Sequence, residues 1–354
     1  MGFNDAGTFA DTAADDALVA EICAEYGART REALRGYLPT PEGGSTLPQL
    51  MADYPARGGK MLRPSLCIAT ARAFGAPLED ALPCAAAIEL LHNAMLIHDD
   101  IEDDSEERRG TPTLHALHGL PMALNAGDAL GLLSIRPLKD NIQRLGADLS
   151  FRIFEETERM AWETTEGQAL ELAWRQPDCG DVDEEAFLTM VMKKTCWLTT
   201  IHPLRTGCLI GTRSAARGDT LTRLGFFFGA AFQIQDDILN LAPGQDYGKE
   251  RAGDLYEGKR TLMLIHAMRM AGDAERERLR RFLALARAER GADDVEWVLG
   301  LIGRTGAMAH ARQVAHALAG AALHEFSLAF AGQPDGRDLR FVRALVTWVL
   351  RRLH

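Results

Sequence analysis

The sequence lacks several features that would place it in a common class of protein. Its 354 residues include six cysteines and no CxxC pair, so neither a zinc site nor a disulfide framework is indicated. Its formal net charge is −11, whereas a nucleic-acid partner requires a basic surface. These shortages favour reduced thiols, a cytoplasmic location and a partner other than nucleic acid.

Long apolar runs and strand patterns are also scarce. We find no apolar run of the roughly 18 residues that a membrane span needs. The acidic N-terminal stretch has no basic segment followed by an apolar one, as a secretory signal would have. Sustained alternation of apolar and polar residues is missing, and no GxGxxG follows a strand-like run. We therefore expect no membrane span, no extended sheet and no dinucleotide-binding fold.

The chain does contain many segments with apolar residues at helical spacing. Apolar residues make up 47% of the sequence and charged residues 25%, as in globular proteins. The spacing predicts an all-α fold. A stretch rich in proline and glycine from Leu38 to Pro48 separates an N-terminal acidic segment and arm helix, residues 1–50, from a helical domain of residues 51–354. The longer predicted helices run from Asp16 to Leu38, Ala76 to His98, Leu124 to Leu138, Leu149 to Leu172 and Leu221 to Leu241.

The stretch from Glu89 to His118, ELLHNAMLIHDDIEDDSEERRGTPTLHALH, is the most informative part of the sequence. It begins as an apolar helical segment and continues into Asp99, Asp100 and Asp103. Asp99 and Asp103 are four residues apart, so on a continuous helix they lie one turn apart on one face. Carboxylates in that position repel each other and face the negative end of the helix dipole. A hard cation such as Mg²⁺, which shares its coordination with substrate phosphates, would relieve both effects.

A second acidic pair stands at the end of another apolar helix, far along the chain. The segment FQIQDDILNL, from Phe232 to Leu241, contains Asp236 and Asp237. One acidic pair alone is about as often a solvent-exposed helix end as it is a metal site. Two such pairs, each followed by basic residues, indicate a site where metal ions hold a diphosphate. Gln233, three residues before Asp236, could hold a phosphate or a metal-bound water.

Basic residues near these motifs are candidate ligands of the diphosphate. Lys60 and Arg63 follow a Gly-Gly turn, where backbone amides and a guanidinium can converge on one phosphate. Arg108 and Arg109 follow the first carboxylates, and His92 lies about two helical turns before them. Others lie on an apolar helix or in the loop after the second pair, namely Lys194, Thr195, Lys249 and Lys259. Any one of these residues taken alone is more often a surface residue than a diphosphate ligand. The prediction of a diphosphate site depends on the whole set.

Taken in order, five motifs resemble those of the trans-isoprenyl diphosphate synthases, and among these the geranylgeranyl diphosphate synthases most. They are GGKxLRP from Gly58 to Pro64, DDxxD with RRG from Asp99 to Gly110, Lys194-Thr195, FQxxDD from Phe232 to Asp237 and a GK…D…GK loop from Gly248 to Lys259. The similarity runs from about Gly58 to Met263. Asn240 stands where many members of the family have a third aspartate.

The resemblance implies a helical bundle around a central apolar cavity, a homodimer, and Mg²⁺-dependent head-to-tail condensation of isopentenyl diphosphate with an allylic diphosphate. It implies three Mg²⁺ per active site on Asp99, Asp103 and Asp236, with Asp100 and Asp237 in support. It makes residues 51–354 the catalytic domain, and the catalytic residues it implies are Asp99, Asp100, Asp103, Asp236 and Lys194. It assigns isopentenyl diphosphate to Lys60, Arg63, His92 and Arg109. It assigns the allylic diphosphate to Arg108, Lys194, Thr195, Gln233, Lys249 and Lys259.

Product length is expected to depend on the helix above Asp99. Met95 and Ala94, four and five residues upstream, are expected to point into the cavity. The small Ala94 predicts a product longer than farnesyl (C15), with geranylgeranyl (C20) the best match. Three alternatives stay open: a class I terpene cyclase, a synthase of farnesyl or longer polyprenyl diphosphates, and a non-catalytic regulatory subunit.

Overall fold

The structure is a computed structural model that describes residues 12–40, 45–176, 179–242 and 252–351. Almost all of these residues are helical, so the predicted all-α class is confirmed. The helices are α1 (Thr12–Tyr37), α2 (Leu47–Ala56), α3 (Leu62–Ala73), α4 (Leu78–Glu102), α5 (Leu114–His118), α6 (Leu120–Leu133), α7 (Ile135–Leu145), α8 (Ala147–Ala173), α9 (Glu184–Val191), α10 (His202–Thr212), α11 (Gly218–Leu241), α12 (Gly253–Glu257), α13 (Leu262–Met270), α14 (Asp273–Ala284), α15 (Ala292–Arg304), α16 (Ala307–Ala329) and α17 (Arg337–Arg351). A π-helical segment (Met192–Ile201) joins α9 to α10, and a 3₁₀ turn (Arg287–Glu289) precedes α15. Two-residue strands β1 (Glu107–Arg108) and β2 (Thr111–Pro112) pair antiparallel after α4.

Helix α4 runs through the middle of the bundle. It is buried on most sides and contacts α1, α3, α6 and α7. A helix that is apolar all round belongs in such a central position. By length and composition α4 also qualifies as a candidate membrane span, so the expectation that no apolar segment is long enough was wrong. Because 67% of its most apolar stretch of 18 residues is buried in the bundle, this is weak evidence for a membrane segment.

The core forms three apolar clusters around α4 and α11. One joins α1, α3, α10 and α17, and includes the buried side chains of Tyr26 and Phe341. A second joins α9, the π-helical segment, α11 and the helices from α13 to α16, with Trp197 fully enclosed. The third fills the space between α2, α4 and α6. The clusters hold the ends of α4 and α11 that carry the acidic motifs.

The N-terminal arm packs into this core. Helix α1, predicted from Asp16 to Leu38, contacts α3, α4 and α17. The division proposed at residue 50 falls inside α2, a helix that the sequence analysis did not anticipate between Pro48 and Pro55. Division into an arm and a catalytic domain stays a prediction.

One predicted helix is two helices in the structure. The segment from Leu124 to Leu138 is divided between α6 and α7, which meet at Ser134. The Ser134 hydroxyl donates to the Gly131 carbonyl at 2.6 Å, which satisfies a carbonyl group at the helix end. Helix α7 begins directly after Ser134 and packs against α4 and α8.

Candidate active site

The C-terminal ends of α4 and α11 face one cavity, where the two acidic motifs meet. Asp99 on α4 and Asp236 and Asp237 on α11 line its polar part. Apolar side chains, including Met95 and Phe187, line the rest. The structure therefore brings together two carboxylate sets that are more than a hundred residues apart in the sequence.

Asp99 is the carboxylate of the first motif that faces the cavity directly. Its Oδ1 accepts hydrogen bonds from Lys194 Nζ at 3.2 Å and Gln168 Nε2 at 3.4 Å. Its Oδ2 accepts one from Arg108 Nη2 at 3.3 Å. These donors come from the π-helical segment, α8 and β1. They converge on the carboxylate that the sequence predicted as a metal ligand.

Asp103 lies just past the end of α4, one turn beyond Asp99, and is almost fully buried. Its Oδ1 accepts from Arg175 Nη1 at 2.6 Å, and its Oδ2 lies 3.0 Å from Lys259 Nζ. Burial and the Asp99 charge would each raise the pKa of Asp103, but Lys259 and Arg175 outweigh them and hold it below its usual range. Asp103 is therefore an ionised carboxylate surrounded by cations.

Asp100, predicted to be catalytic, faces away from the cavity. It is fully buried and accepts hydrogen bonds from the Tyr54 hydroxyl and from Arg108, whose Nε lies 2.8 Å from Oδ1. Consecutive helix residues point about 100° apart, so Asp99 and Asp100 cannot both face the ligand. The direct catalytic assignment is therefore corrected: Asp100 fixes the position of Arg108, which lines the cavity.

The second acidic pair has the electrostatics expected of an unneutralised cation site. Burial, together with the neighbouring carboxylates of Asp254 and Asp236, raises the pKa of Asp237 well above its usual range. Gln233 Nε2 donates to Asp237 Oδ1 at 2.7 Å, and the Thr195 hydroxyl donates to Gln233 Oε1 at 2.8 Å. Oxygen donors crowded in this way fit Mg²⁺, which prefers carboxylate and phosphate oxygens.

Asn240, where the family often has a third aspartate, holds the following loop in place. Its side-chain carbonyl accepts a hydrogen bond from the Asp254 backbone N–H at 3.2 Å. That bond places Asp254 on the cavity wall beside Asp237. A carboxylate from α12 therefore stands close to the position where the family pattern has its third acid.

Two of the predicted lysines, Lys194 and Lys259, are paired with carboxylates. Lys194 Nζ contacts Glu171 as well as Asp99. Lys259 Nζ lies 2.5 Å from Glu257 and 3.6 Å from Asp254, in addition to its contact with Asp103. Burial opposes the charge on Lys259, but these carboxylates raise its pKa well above the usual value, so it is a cation. Lys249 lies outside the described residues.

A glycine on α8 explains why Lys194 can reach this position. A β-carbon at Gly167 would lie 2.2 Å from the Lys194 backbone nitrogen, closer than real contacts allow. Only glycine therefore permits α8 to pack against the π-helical segment at this point. The close approach brings Lys194 beside Gln168 and Glu171.

A second group of charges surrounds Arg63 and His92, which also line the cavity. Arg63 Nη2 donates to the Thr199 hydroxyl at 2.8 Å, and burial lowers its pKa to about 10. His92 Nδ1 lies 3.5 Å from the buried carboxylate of Glu89. Burial, and then the Arg63 charge, lower the pKa of His92 to about 4, so its ring is neutral at physiological pH.

Lys60 and Arg109 were predicted to join this group but lie outside the cavity lining. Arg109 has a left-handed backbone, with φ of 58°, and its guanidinium donates to the carbonyls of Gly58 and Tyr54, the latter at 3.2 Å. It therefore ties the RRG turn to the Gly-Gly turn. Lys60 is exposed, and its Nζ lies 5.4 Å from the ring centroid of Trp348 on α17.

Of the two residues predicted to control product length, Met95 lines the cavity and Ala94 does not. Ala94 packs among the side chains between α4 and α6, where its β-carbon faces Gly131. Met95 is one turn from Asp99 and shares its face, whereas Ala94 is rotated away by about 100°. The expectation that both point into the cavity was wrong for Ala94.

Several polar residues of the site were not predicted, and three of them, Gln168, Glu171 and Arg175, are close together in the sequence. They lie at and just after the end of α8, at spacings of three and four residues that place them on one side of the helix. Glu171 and Arg175 are joined at 2.8 Å between Oε2 and Nη2. Their spacing within the EGQALELAWR segment was a signal, but it identifies no partner until the helices are packed.

Comparison with known proteins assigns the family. The family model described as Polyprenyl synthetase matches residues 45–302. The chain belongs to this family. It is 34% identical over 300 residues to a short chain isoprenyl diphosphate synthase of Methanothermobacter thermautotrophicus, an alignment that covers 84% of this chain and 88% of the relative.

Solved structures agree with this assignment. Geranylgeranyl pyrophosphate synthetase from Pyrococcus horikoshii superposes with a TM-score of 0.82 at 28% identity, covering 95% of this chain and 99% of that one. Geranylgeranyl pyrophosphate synthase from Corynebacterium glutamicum, solved with isoprenyl diphosphate and magnesium, gives 0.83 at 25% identity and covers 94% and 99%. The polyprenyl synthetase described here is a trans-prenyltransferase of isoprenoid biosynthesis, as the motif resemblance implied.

Proposed function

We propose that this prenyltransferase condenses isopentenyl diphosphate with an allylic diphosphate and releases mainly geranylgeranyl diphosphate. The observation that carries the proposal is the shared cavity, with Asp99 on one side, Asp236 on the other and apolar walls beyond them. Such a cavity suits a substrate with an anionic head and a long hydrocarbon tail.

The first step is ionisation of the allylic diphosphate at the polar end. Its carbon–oxygen bond breaks, and both bonding electrons leave with the diphosphate. Three Mg²⁺, held by Asp99, Asp103 and Asp236, would supply the positive charge that stabilises this leaving group. Lys194, Lys259 and Arg108 add preorganised positive charge, and electrostatic stabilisation of this kind usually contributes most to catalysis.

The second step joins the two substrates. The alkene of isopentenyl diphosphate attacks the allylic cation and forms the new carbon–carbon bond, after which a proton is lost to the released diphosphate. Arg63 holds the second diphosphate, with neutral His92 as a hydrogen-bonding partner. The apolar walls keep water away from the cation.

The C20 assignment needs a different basis from the one that the sequence suggested. Because Ala94 does not line the cavity, its small size does not favour a long product. Support comes from the apolar cavity beside Asp99, lined by Met95, Phe187 and Leu198, and from the similarity to geranylgeranyl diphosphate synthases. Met95 is the residue on the Asp99 face that the growing chain would pass.

We also propose that the protein is a homodimer in the cytoplasm. Among the described residues, ten of the twelve exposed large apolar side chains lie between Leu117 and Trp162, on α5 to α8. Leu132 is 70% exposed, Trp162 67% and Phe151 63%. Exposed apolar side chains concentrated on four successive helices suit contact with a second copy of the chain. All six cysteines are free thiols, as in a reducing compartment.

Mass spectrometry of the dephosphorylated products tests the reaction. The purified protein is incubated with Mg²⁺, isopentenyl diphosphate and a C5, C10 or C15 allylic starter. We expect a C20 alcohol after phosphatase treatment in each case. A hydrocarbon formed from geranylgeranyl diphosphate alone would favour the cyclase, and no product from any starter would favour a non-catalytic subunit. Light scattering on the same sample tests the dimer.

A further inference from the structure

A second group of metal-ligating side chains lies outside the cavity lining. Glu184 at the start of α9, His266 on α13 and His310 on α16 converge on one point between these three helices. One ligand atom from each residue lies within 4.8 Å of the other two, and all three side chains are partly buried. No motif of the sequence analysis included any of them.

The geometry of the group is close to that of a coordination site. His310 Nε2 lies 3.1 Å from Glu184 Oε1. The imidazole rings of His266 and His310 stack with their centroids 4.2 Å apart and their planes 25° apart, so one ring must rotate before both nitrogens can point at the same ion. After that rotation, the two nitrogen atoms and the carboxylate are close enough for a single ion to contact all three.

The donor set selects the kind of ion. Imidazole nitrogen suits zinc, copper, nickel and iron, whereas Mg²⁺ prefers oxygen. Two histidines and a glutamate, with water as fourth ligand, match the tetrahedral preference of Zn²⁺. We propose that Glu184, His266 and His310 bind one divalent transition-metal ion, Zn²⁺ or an ion of similar preference, separately from the Mg²⁺ of the active site.

Arg269 is the residue that competes with such an ion. Its Nη1 lies 3.2 Å from Glu184 Oε1, and its Nη2 lies 3.4 Å from His266 Nδ1. The Arg269 side chain is 59% exposed, so it can move into solvent when an ion enters.

An ion at this position would join three helices that are far apart in the sequence. Helix α9 carries Phe187 to the cavity wall and leads into the π-helical segment with Lys194. An ion that binds the folded chain but not the unfolded chain stabilises the folded state by mass action. We therefore expect Zn²⁺ to raise the melting temperature by about 2 °C or more, with saturating Mg²⁺ present throughout.

The test uses the full chain in saturating Mg²⁺ and measures uptake of Co²⁺ by its visible absorption and of Zn²⁺ by competition. The wild type should bind one ion per chain. His310→Ala should weaken binding at least tenfold, while His316→Ala, an exposed histidine on the same helix, should leave it unchanged. Far-UV circular dichroism establishes that each variant is folded.

X-ray absorption on the zinc-loaded wild type provides a measurement that needs no variant. We expect nitrogen and oxygen ligands at about 2.0–2.1 Å, including two imidazoles. Sulfur at about 2.3 Å would instead indicate cysteine ligation and overturn the assignment. Absence of uptake at one equivalent, or equal uptake by a folded His310→Ala, would also overturn it. None of these outcomes depends on prenyltransferase activity.

Discussion

Replacing Arg175 by methionine should impair both stability and Mg²⁺ use, although Arg175 belongs to none of the motifs in the sequence. Its guanidinium joins Asp103 at 2.6 Å to Glu171 at 2.8 Å. The side chains of Arg175 and Asp103 are 12% and 1% exposed. The substitution removes the cation that the two buried carboxylates share, while Asp103 keeps Lys259 and Glu171 keeps Lys194.

The size of the effect follows from burial. Removing one partner of a buried ion pair costs about 3–5 kcal/mol, because the other charge is left uncompensated. Groups that orient metal ligands typically contribute about 10–100-fold to metal affinity or activity. Because Lys259 stays beside Asp103 and Lys194 beside Glu171, each carboxylate keeps one cation and the loss should be smaller than this. We therefore expect a loss of about 1–3 kcal/mol in the free energy of unfolding, and a tenfold or greater rise in the Mg²⁺ concentration that gives half-maximal activity.

The pH dependence has a definite sign. The folded-state pKa of Asp103 lies below its usual value, so this group stabilises the protein above its unfolded pKa and loses that contribution as pH falls through the folded pKa. Removing Arg175 raises the folded pKa toward the unfolded one. The stability difference between wild type and Arg175→Met should therefore be largest near neutral pH and shrink below about pH 4.

Urea unfolding and Mg²⁺ titrations of kcat/KM measure these effects. Arg280→Met is the matched control, because Arg280 pairs with Asp181 at 2.6 Å but both side chains are about half exposed. A screened surface pair contributes little, so this variant should resemble the wild type. Arg175→Lys should retain part of the function. Equal losses in Arg175→Met and Arg280→Met, or an unchanged Mg²⁺ requirement, would refute the reasoning.

Two further substitutions test the close approach of α8 and the cavity wall. Gly167→Ala should lower kcat/KM at least tenfold, because its β-carbon would displace the Lys194 backbone. The control is Gly320→Ala in the middle of α16, where the added β-carbon would meet open space; in thermal unfolding it should be neutral or raise the free energy of unfolding by up to about 1 kcal/mol. Met95→Trp should shorten the main product, since Met95 lines the cavity on the Asp99 face. Met270→Trp, at an exposed position, should leave the product length unchanged. Mass spectrometry of the dephosphorylated products measures both lengths, and an unchanged length in Met95→Trp would show that Met95 does not control product length.

The sequence by itself determined several of the long helices and the acidic motifs at the ends of two of them. These features depend on residues three or four positions apart, and that periodicity can be read directly from the chain. It predicted α1, α4 and α11 to within a few residues, and it predicted which aspartates end the two central helices. The resemblance then gave the reaction class, because five ordered motifs share the family's spacing.

Only the tertiary structure decided which side chains of these helices meet. Asp99 and Asp100 are adjacent in the sequence, yet packing directs one to the cavity and the other to Tyr54 and Arg108. In the same way, Met95 faces the cavity, whereas its neighbour Ala94 packs between α4 and α6. Arg175 became part of the site because α8 approaches the π-helical segment at a glycine, and the Glu184 cluster exists because three distant helices pack together. Contacts of this kind depend on the relative rotation of packed helices, which no local spacing determines.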